Sequence, residues 1–147
     1  MIFKRLNRTS PEQVFAVFKA NEAGVAADDP VAVSVTGGAA AADGIGVEQP
    51  TGSAGQAVNT FVGVADAAIA NGAYGLVQIY GYRSTSRVLQ QLSSVSAGAA
   101  LYPISDQDFL ASAAAAVAVF PTATLLDSIP TSGSTTSYSA KIFLRCM

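Results

Sequence analysis

Side chains that can do acid–base or nucleophilic chemistry are few in this sequence. There is no histidine among the 147 residues, and Cys146 is the one cysteine. A Ser-His-Asp triad, a Cys-His pair and a His-ligated zinc or iron site all need an imidazole, so these sites are excluded. Cys146 shares one face of a predicted last strand with Ala140, Ile142 and Leu144, which favours an apolar packing role for its thiol.

Two pairs of closely spaced carboxylates are the remaining acid–base candidates. Asp28 and Asp29 stand directly before Pro30, which is typical of a turn. Asp106 and Asp108 precede an alanine-rich stretch, where carboxylates act as helix caps. Either pair has the ligand type of a calcium site, but turn and cap roles explain both. No glycine-rich loop joins a strand to a helix as a phosphate site requires. We therefore predict no enzymatic activity, no cofactor and no metal.

The stretch NGAYGLVQIYGY, residues 71–82, alternates with the two-residue period of a strand. Tyr74, Tyr80 and Tyr82 fall on one face of it, and small or β-branched residues fall on the other. Three interpretations of the tyrosine row stay open: a second layer of core, contact with a protein partner, and a stacking platform for a ligand. A protein partner is preferred over a ligand because no convergent polar side chains accompany the tyrosines.

Basic residues concentrate at three places, two of which also carry aromatic residues: a cationic N-terminal arm, the tyrosine strand with the residues after it, and the outward face of the last strand. These groups comprise Lys4, Arg5, Arg8, Tyr80, Tyr82, Arg83, Arg87, Lys141, Phe143 and Arg145. The interleaved set Tyr80, Tyr82, Arg83 and Arg87 suits single-stranded nucleic acid, but a net charge of −2 and 12% charged residues attract phosphate weakly. Tyr and Arg are enriched at protein–protein hot spots, so we predict a protein interface and no nucleic acid.

Short apolar runs rich in Val, Ile, Phe and Tyr recur between clusters of Gly, Ser, Asp and Pro. Strands separated by turns give this pattern, and the spacing is typical of a sandwich or barrel. Asn71-Gly72 tolerates the positive φ of a tight turn, so the runs on either side of it are predicted to pair. The nine runs span residues 13–19, 30–36, 44–49, 60–66, 73–82, 86–92, 98–103, 123–129 and 137–146.

Two segments carry helix signals. Residues 10–13, Ser-Pro-Glu-Gln, have the pattern of a helix start, but the β-branched and aromatic residues that follow favour a strand. The stretch after Ser105 is capped and rich in alanine, which predicts a short helix over residues 106–116. No internal repeat is evident in the sequence.

These elements predict an all-β protein with an N-terminal arm over residues 1–10 and a single β domain over residues 11–147. The expected domain is an antiparallel sandwich or barrel, with a jelly roll preferred over an immunoglobulin-like arrangement. The first twelve residues lack the apolar run of a secretory signal. The uncharged stretch 109–126 is dominated by alanine and contains Pro121, so no membrane span is expected.

Four segments resemble the decoration, or cement, proteins of tailed-phage heads. They are GVADAAIANGAYGLVQIYGYRS (63–84), QVFAVFKANEAG (13–24), GAALYPISDQDF (98–109) and AKIFLRCM (140–147). The resemblance implies a small, mostly β protein that is made in the host cytoplasm and binds the major capsid protein on the outer surface of the virion. It also implies assembly as a homodimer or homotrimer. No catalytic residue comes with such a family.

We therefore expect a virion structural protein that stabilises contacts between major capsid subunits. Its interface with the capsid or with its own copies is predicted to use the three groups of basic and aromatic residues named above. One alternative is a β-sandwich module that binds a glycan or small ligand through its tyrosines. Another is a different virion part, either a head–tail connector or a minor tail protein.

Overall fold

A computed structural model describes residues 12–21, 24–34, 45–50, 59–90, 94–104, 107–108, 110–112, 123–130 and 136–146. These residues are nearly all β. The strands are β1 (Gln13–Ala20), β2 (Pro30–Val33), β3 (Gly46–Glu48), β4 (Phe61–Ala65), β5 (Tyr74–Arg83), β6 (Arg87–Gln90), β7 (Ala100–Pro103), β8 (Leu110–Ser112), β9 (Ala123–Leu125), β10 (Thr136–Ser139) and β11 (Ile142–Arg145). The expectation of an all-β barrel or sandwich is confirmed.

Strands β1 to β5 form the first unit, a closed five-stranded barrel. Its strand order is β1-β3-β2-β4-β5, and β5 closes the ring by pairing antiparallel with β1. The pairing of β1 with β3 is parallel, so the expectation of a purely antiparallel sheet is corrected. A closed ring of five strands cannot alternate in direction throughout. Because the other four pairs of the ring are antiparallel, the remaining pair, β1 with β3, is parallel.

Strands β6 to β11 form the second unit, which repeats the strand pairing of the first. The order β6-β8-β7-β9-β11 matches β1-β3-β2-β4-β5, again with a parallel first pair. The last strand of this unit is divided at Ala140 and Lys141, so β10 pairs with β6 while β11 pairs with β9. The two units are joined into one sheet where β11 pairs antiparallel with β5.

The repeat extends to single residue pairs. Val31 lies opposite Gly63 in the first unit, as Leu101 lies opposite Ala123 in the second. Further matching pairs are Ala20–Val47 with Val88–Leu110, Ala32–Glu48 with Tyr102–Ala111, and Ala65–Val77 with Leu125–Ile142. The isolated bridge Val25–Ile69 recurs as Val95–Ile129. The expectation that the chain has no internal repeat is therefore wrong.

The described residues form two hydrophobic clusters. One consists of residues of the first unit alone, among them Val31, Val47 and Val77. The other is larger and combines residues of the second unit with Phe61 and Val64 of β4. Because β4 contributes to both clusters, the second unit packs against the outside of the first. Burial of these side chains is the main favourable contribution to folding.

The predicted helix over residues 106–116 is wrong where the structure describes it. Leu110–Ser112 form β8, which pairs antiparallel with β7, and Leu110 also lies opposite Val88 of β6. Leu110 is completely buried in the second core. Tertiary pairing and burial therefore override the helix propensity of the segment.

Other local predictions are confirmed. Gln13–Ala20 is a strand rather than a helix. The Asn71-Gly72 turn has Gly72 at φ +74, and β4 pairs antiparallel with β5 across it. The N-terminal arm over residues 1–10 lies outside the described residues.

Candidate functional site

Arg83, predicted to face outward as an interface residue, is buried at the end of β5. Its relative exposure is 5%. One guanidinium nitrogen lies 2.6 Å from Asp28 Oδ1 and donates to the Ala65 carbonyl at 2.8 Å. The other donates to Gln78 Oε1 at 3.3 Å and lies 3.4 Å from Asp66 Oδ1. Arg83 is therefore an internal cation, and its placement at an outer surface is corrected.

Asp28 has a left-handed backbone conformation. Its φ is +68, in a region that non-glycine residues rarely adopt. Gly98, at the equivalent position of the second unit, has φ +89. Equivalence is shown by matching hydrogen bonds, from Asp28 N to Ala65 O and from Gly98 N to Leu125 O. The first unit thus carries a carboxylate at a position better suited to glycine, and that carboxylate binds Arg83 and Thr85.

Arg87 of β6 connects carboxylates of the two units. Its guanidinium lies 2.7 Å from Asp29 Oδ1 and 3.7 Å from Asp108 Oδ2. Asp108 also accepts a hydrogen bond of 2.6 Å from Gln49 of the first unit. Burial raises the pKa of Asp29 despite the opposing hydrogen bonds from Arg87 and the Ala26 amide. The hydrogen bond to Asp29 in turn raises the pKa of Arg87. We interpret this cluster as a structural contact between the units.

The β5–β11 pairing brings together four of the predicted interface residues. The rings of Tyr80 and Phe143 meet edge to face with centroids 5.4 Å apart and planes at 81°. The Arg145 guanidinium carbon lies 5.9 Å from the centre of the Phe143 ring. Tyr82 lies opposite Phe143 in the strand register. We call Tyr80, Tyr82, Phe143 and Arg145 the aromatic cluster. Its three rings are half-buried and Arg145 is exposed.

The remaining predicted interface residues do not join this cluster. Lys141 is exposed and its ammonium lies 3.4 Å from Asp127 Oδ2. Arg83 is buried and paired with Asp28, and the partly exposed Arg87 is paired with Asp29. The basic arm residues Lys4, Arg5 and Arg8 lie outside the described part of the chain. The tyrosine row also divides, because the register between β1 and β5 shifts between Val14 and Phe15 and leaves an extra residue on β5.

A second surface, on β1 and β5, was not found by sequence reasoning. Val17 lies opposite Leu76, with Tyr74 and Phe15 at neighbouring positions of the same ladder. We call these four side chains the apolar face; their exposures are Phe15 36%, Val17 59%, Tyr74 65% and Leu76 48%. Residues 13–19, QVFAVFK, alternate as a strand does, but both faces of this strand carry apolar residues. Sequence alone therefore does not indicate which face is buried and which is exposed.

The described residues contain no group of three or more side chains suited to hold a metal ion. Cys146 packs against the second core, as predicted, and burial raises the pKa of its thiol to about 12. At such a pKa the reactive thiolate is scarce at neutral pH. Within the described ranges, no helix is long and apolar enough to cross a membrane.

Comparison with known proteins adds no relative to this description. No protein family model matches the chain, and no curated protein matches it significantly.

Proposed function

We propose that the protein is a structural component of a tailed-phage head, a decoration protein that binds the outer capsid surface and stabilises contacts between major capsid subunits. The observation that carries the proposal is the aromatic cluster on β5 and β11. Tyr and Arg side chains of this kind anchor protein–protein contacts. The patchwise resemblance of four segments to decoration proteins supports the same function.

The distribution of charge also supports a role in protein contact. Arg83 and Arg87 are engaged with carboxylates of their own chain. The aromatic cluster therefore offers mainly ring surface with one exposed guanidinium, and interface cores are likewise depleted in charge. Many copies bound over one shell would add weak individual contacts through avidity. The protein would work on the virion surface after synthesis in the host cytoplasm.

The direct test is co-sedimentation of the purified protein with mature shells stripped of it, quantified as copies bound per shell. We expect saturable binding at hundreds of copies, on the order of the number of capsid subunits, because a decoration protein repeats with the lattice. A dozen copies or fewer would support a connector or minor tail protein instead. Absence of binding, together with a melting temperature that rises with added glycans, would support a ligand-binding module.

A matched pair of substitutions locates the contact. Tyr82→Ala removes a ring of the aromatic cluster, whereas Tyr138→Ala removes an exposed ring of β10 outside it. We expect Tyr82→Ala to weaken shell binding by about tenfold or more and Tyr138→Ala to leave it unchanged. Melting temperatures of both variants control for folding. Equal binding by the two variants would show that the cluster is not the contact.

A further inference from the structure

The apolar face is larger than the folding of the barrel requires, as comparison with the second unit shows. β1 pairs antiparallel with β5 as β6 does with β10, and Ala20 of β1 matches Val88 of β6. The equivalent positions that follow from this register are Val17 and Thr85, Tyr74 and Ser139, and Leu76 and Lys141. All three residues of the second unit are polar and exposed. The same ladder therefore forms with polar residues, and the stability of the barrel does not explain the apolar face.

The four side chains of the apolar face also adjoin one another, unlike the scattered apolar residues that any surface exposes. In the second unit Leu126 is exposed, but it lies beside Lys141 and Asp127. The apolar face presents on the order of 400 Å² of mostly apolar surface, a patch size that on a monomer often marks a binding site. The first unit therefore has a contiguous apolar surface that the second unit lacks at the equivalent positions.

The two units also differ in the sequence before their first strands. Residues 84–86 alone separate β6 from β5, whereas residues 1–12 precede β1. The sequence before β1 begins with an apolar group, which comprises Met1, Ile2, Phe3 and Leu6. It continues with Asn-Arg-Thr-Ser-Pro, residues 7–11, in which Asn, Ser and Pro favour a turn. We infer that the apolar face is covered by the N-terminal arm of the same chain, residues 1–10, through the apolar residues of the arm.

The length of the arm agrees with this contact. From Glu12, where the described chain begins, to Val17 of the apolar face the extended strand covers about 17 Å. When the chain turns within residues 7–11, residues 1–6 span up to about 20 Å and reach back along β1 over the apolar face. The apolar side chains of the arm are also large enough to cover the patch, because one buried phenylalanine alone removes about 150–250 Å² from water.

Charge beside the face favours an occupant that carries cations. Asp66 lies next to Leu76, since its amide donates to the Leu76 carbonyl at 3.0 Å. Arg83 is shared by Asp28 and Asp66, so these three side chains have a net negative formal charge, and Asp66 is the more exposed carboxylate. Lys19 lies at the other end of the face, opposite in the register to the tyrosine. The cations of the arm, Lys4, Arg5 and Arg8, therefore belong at the Leu76 end. None of these contacts uses the aromatic cluster, so the inference stands independently of the proposed capsid function.

A tryptophan introduced into the apolar face tests the contact in the full chain, because the sequence has no tryptophan of its own. Tyr74→Trp reports on the apolar face, and Tyr138→Trp, at an exposed position of β10, is the matched control. In each reporter chain the apolar arm residues Ile2, Phe3 and Leu6 are then replaced by serine. We expect acrylamide to quench the tryptophan at position 74 about threefold more strongly after this replacement, because the ring becomes solvated. Quenching at position 138 should not change. Unchanged quenching at position 74, or an equal rise at both positions, would overturn the inference.

Two further comparisons in the Tyr74→Trp chain identify the force and the occupant. Replacing Lys4, Arg5 and Arg8 by serine keeps the apolar arm residues, so quenching should rise only slightly, since surface ion pairs contribute little. A rise as large as that from the apolar replacement would contradict apolar packing of the arm. Quenching should also be independent of protein concentration, because the arm belongs to the same chain. Quenching that weakens as the protein concentration rises would show that a second copy covers the face instead of the arm.

Discussion

The two barrel units have the same strand pairing but use it differently. Apolar residues occupy equivalent buried positions in both, as in Val31 and Leu101, or Ile69 and Ile129. The first unit, however, has carboxylates where the second has small residues: Asp28 against Gly98, Asp29 against Ala99, and Glu48 against Ala111. Positions where both units have apolar residues therefore form the barrel cores. Positions where the residue types differ make contacts that only one unit has.

The carboxylates of the first unit bind side-chain partners that the small residues at the equivalent positions of the second unit cannot bind. Glu48 is buried and accepts a hydrogen bond of 3.0 Å from the Ser34 hydroxyl, whereas Ala111 simply packs in the second unit. Asp28 and Asp29 bind Arg83 and Arg87, which lie where the chain passes from one unit to the next. Asp28 and Glu48 therefore bind partners within the first unit, whereas Asp29 binds Arg87 of the second.

The largest expected effect comes from removing the cation at this junction. Arg83→Met leaves the Ala65 carbonyl and the buried Gln78 Oε1 without their donor, while Asp28 and Asp66 are partly exposed and can be solvated. A buried acceptor left unpaired in this way typically costs about 1–3 kcal/mol. We expect this loss in the free energy of urea unfolding. Arg145→Met, which changes an exposed arginine, serves as the control and should cost less than about 0.5 kcal/mol. Similar values for both variants would show that the Arg83 network contributes little to stability.

A smaller effect should follow from exchanging the residues at the left-handed backbone position. Gly98→Asp introduces a side chain at φ +89 without an arginine to bind, which should destabilise the protein by about 1 kcal/mol. Asp28→Gly relaxes the same backbone strain but removes the ion pair with Arg83. If the ion pair outweighs the strain, this variant is also less stable in urea unfolding. A gain in stability from Asp28→Gly would show that strain dominates.

The smallest effect concerns pH. Burial raises the pKa of Asp29 in the folded state above its ordinary value of 3.8, so the folded chain binds this proton more readily than the unfolded chain. The contribution of Asp29 to stability should therefore be greatest below pH 3.8 and decrease as pH rises through the raised pKa. The measurement is the free energy of unfolding of wild type and of Asp29→Asn at several pH values. The value for wild type, relative to that for the variant, should rise as the pH is lowered. The opposite slope would mean that Arg87 lowers the pKa of Asp29.

Strands were the most predictable part of this molecule, because two-residue alternation and turn residues are local properties. The Asn71-Gly72 turn is an example. The repeat was hidden by unequal connections: Val31 and Leu101 are 70 positions apart, Ala65 and Leu125 are 60 apart, and Val77 and Ile142 are 65 apart. A repeat without a fixed period, and with few identical residues, leaves no simple signal in one sequence.

The charge network was not predictable for a related reason. Arg83 and Asp28 are 55 positions apart, and their contact depends on the register of the barrel rather than on any local pattern. The extra residue on β5 also breaks the alternation that assigned its side chains to faces. Local sequence therefore identified the aromatic residues near the surface but not which arginines would be buried.

Strand β5 is the element on which both units depend. Its ten residues pair with β1 and β4 of the first unit and with β11 of the second. Neither unit can open without exposing backbone groups and apolar residues of the other, so the two barrels form one cooperative unit of unfolding. We therefore expect the amides of β5 to exchange with solvent mainly through unfolding of the whole molecule rather than of one unit alone.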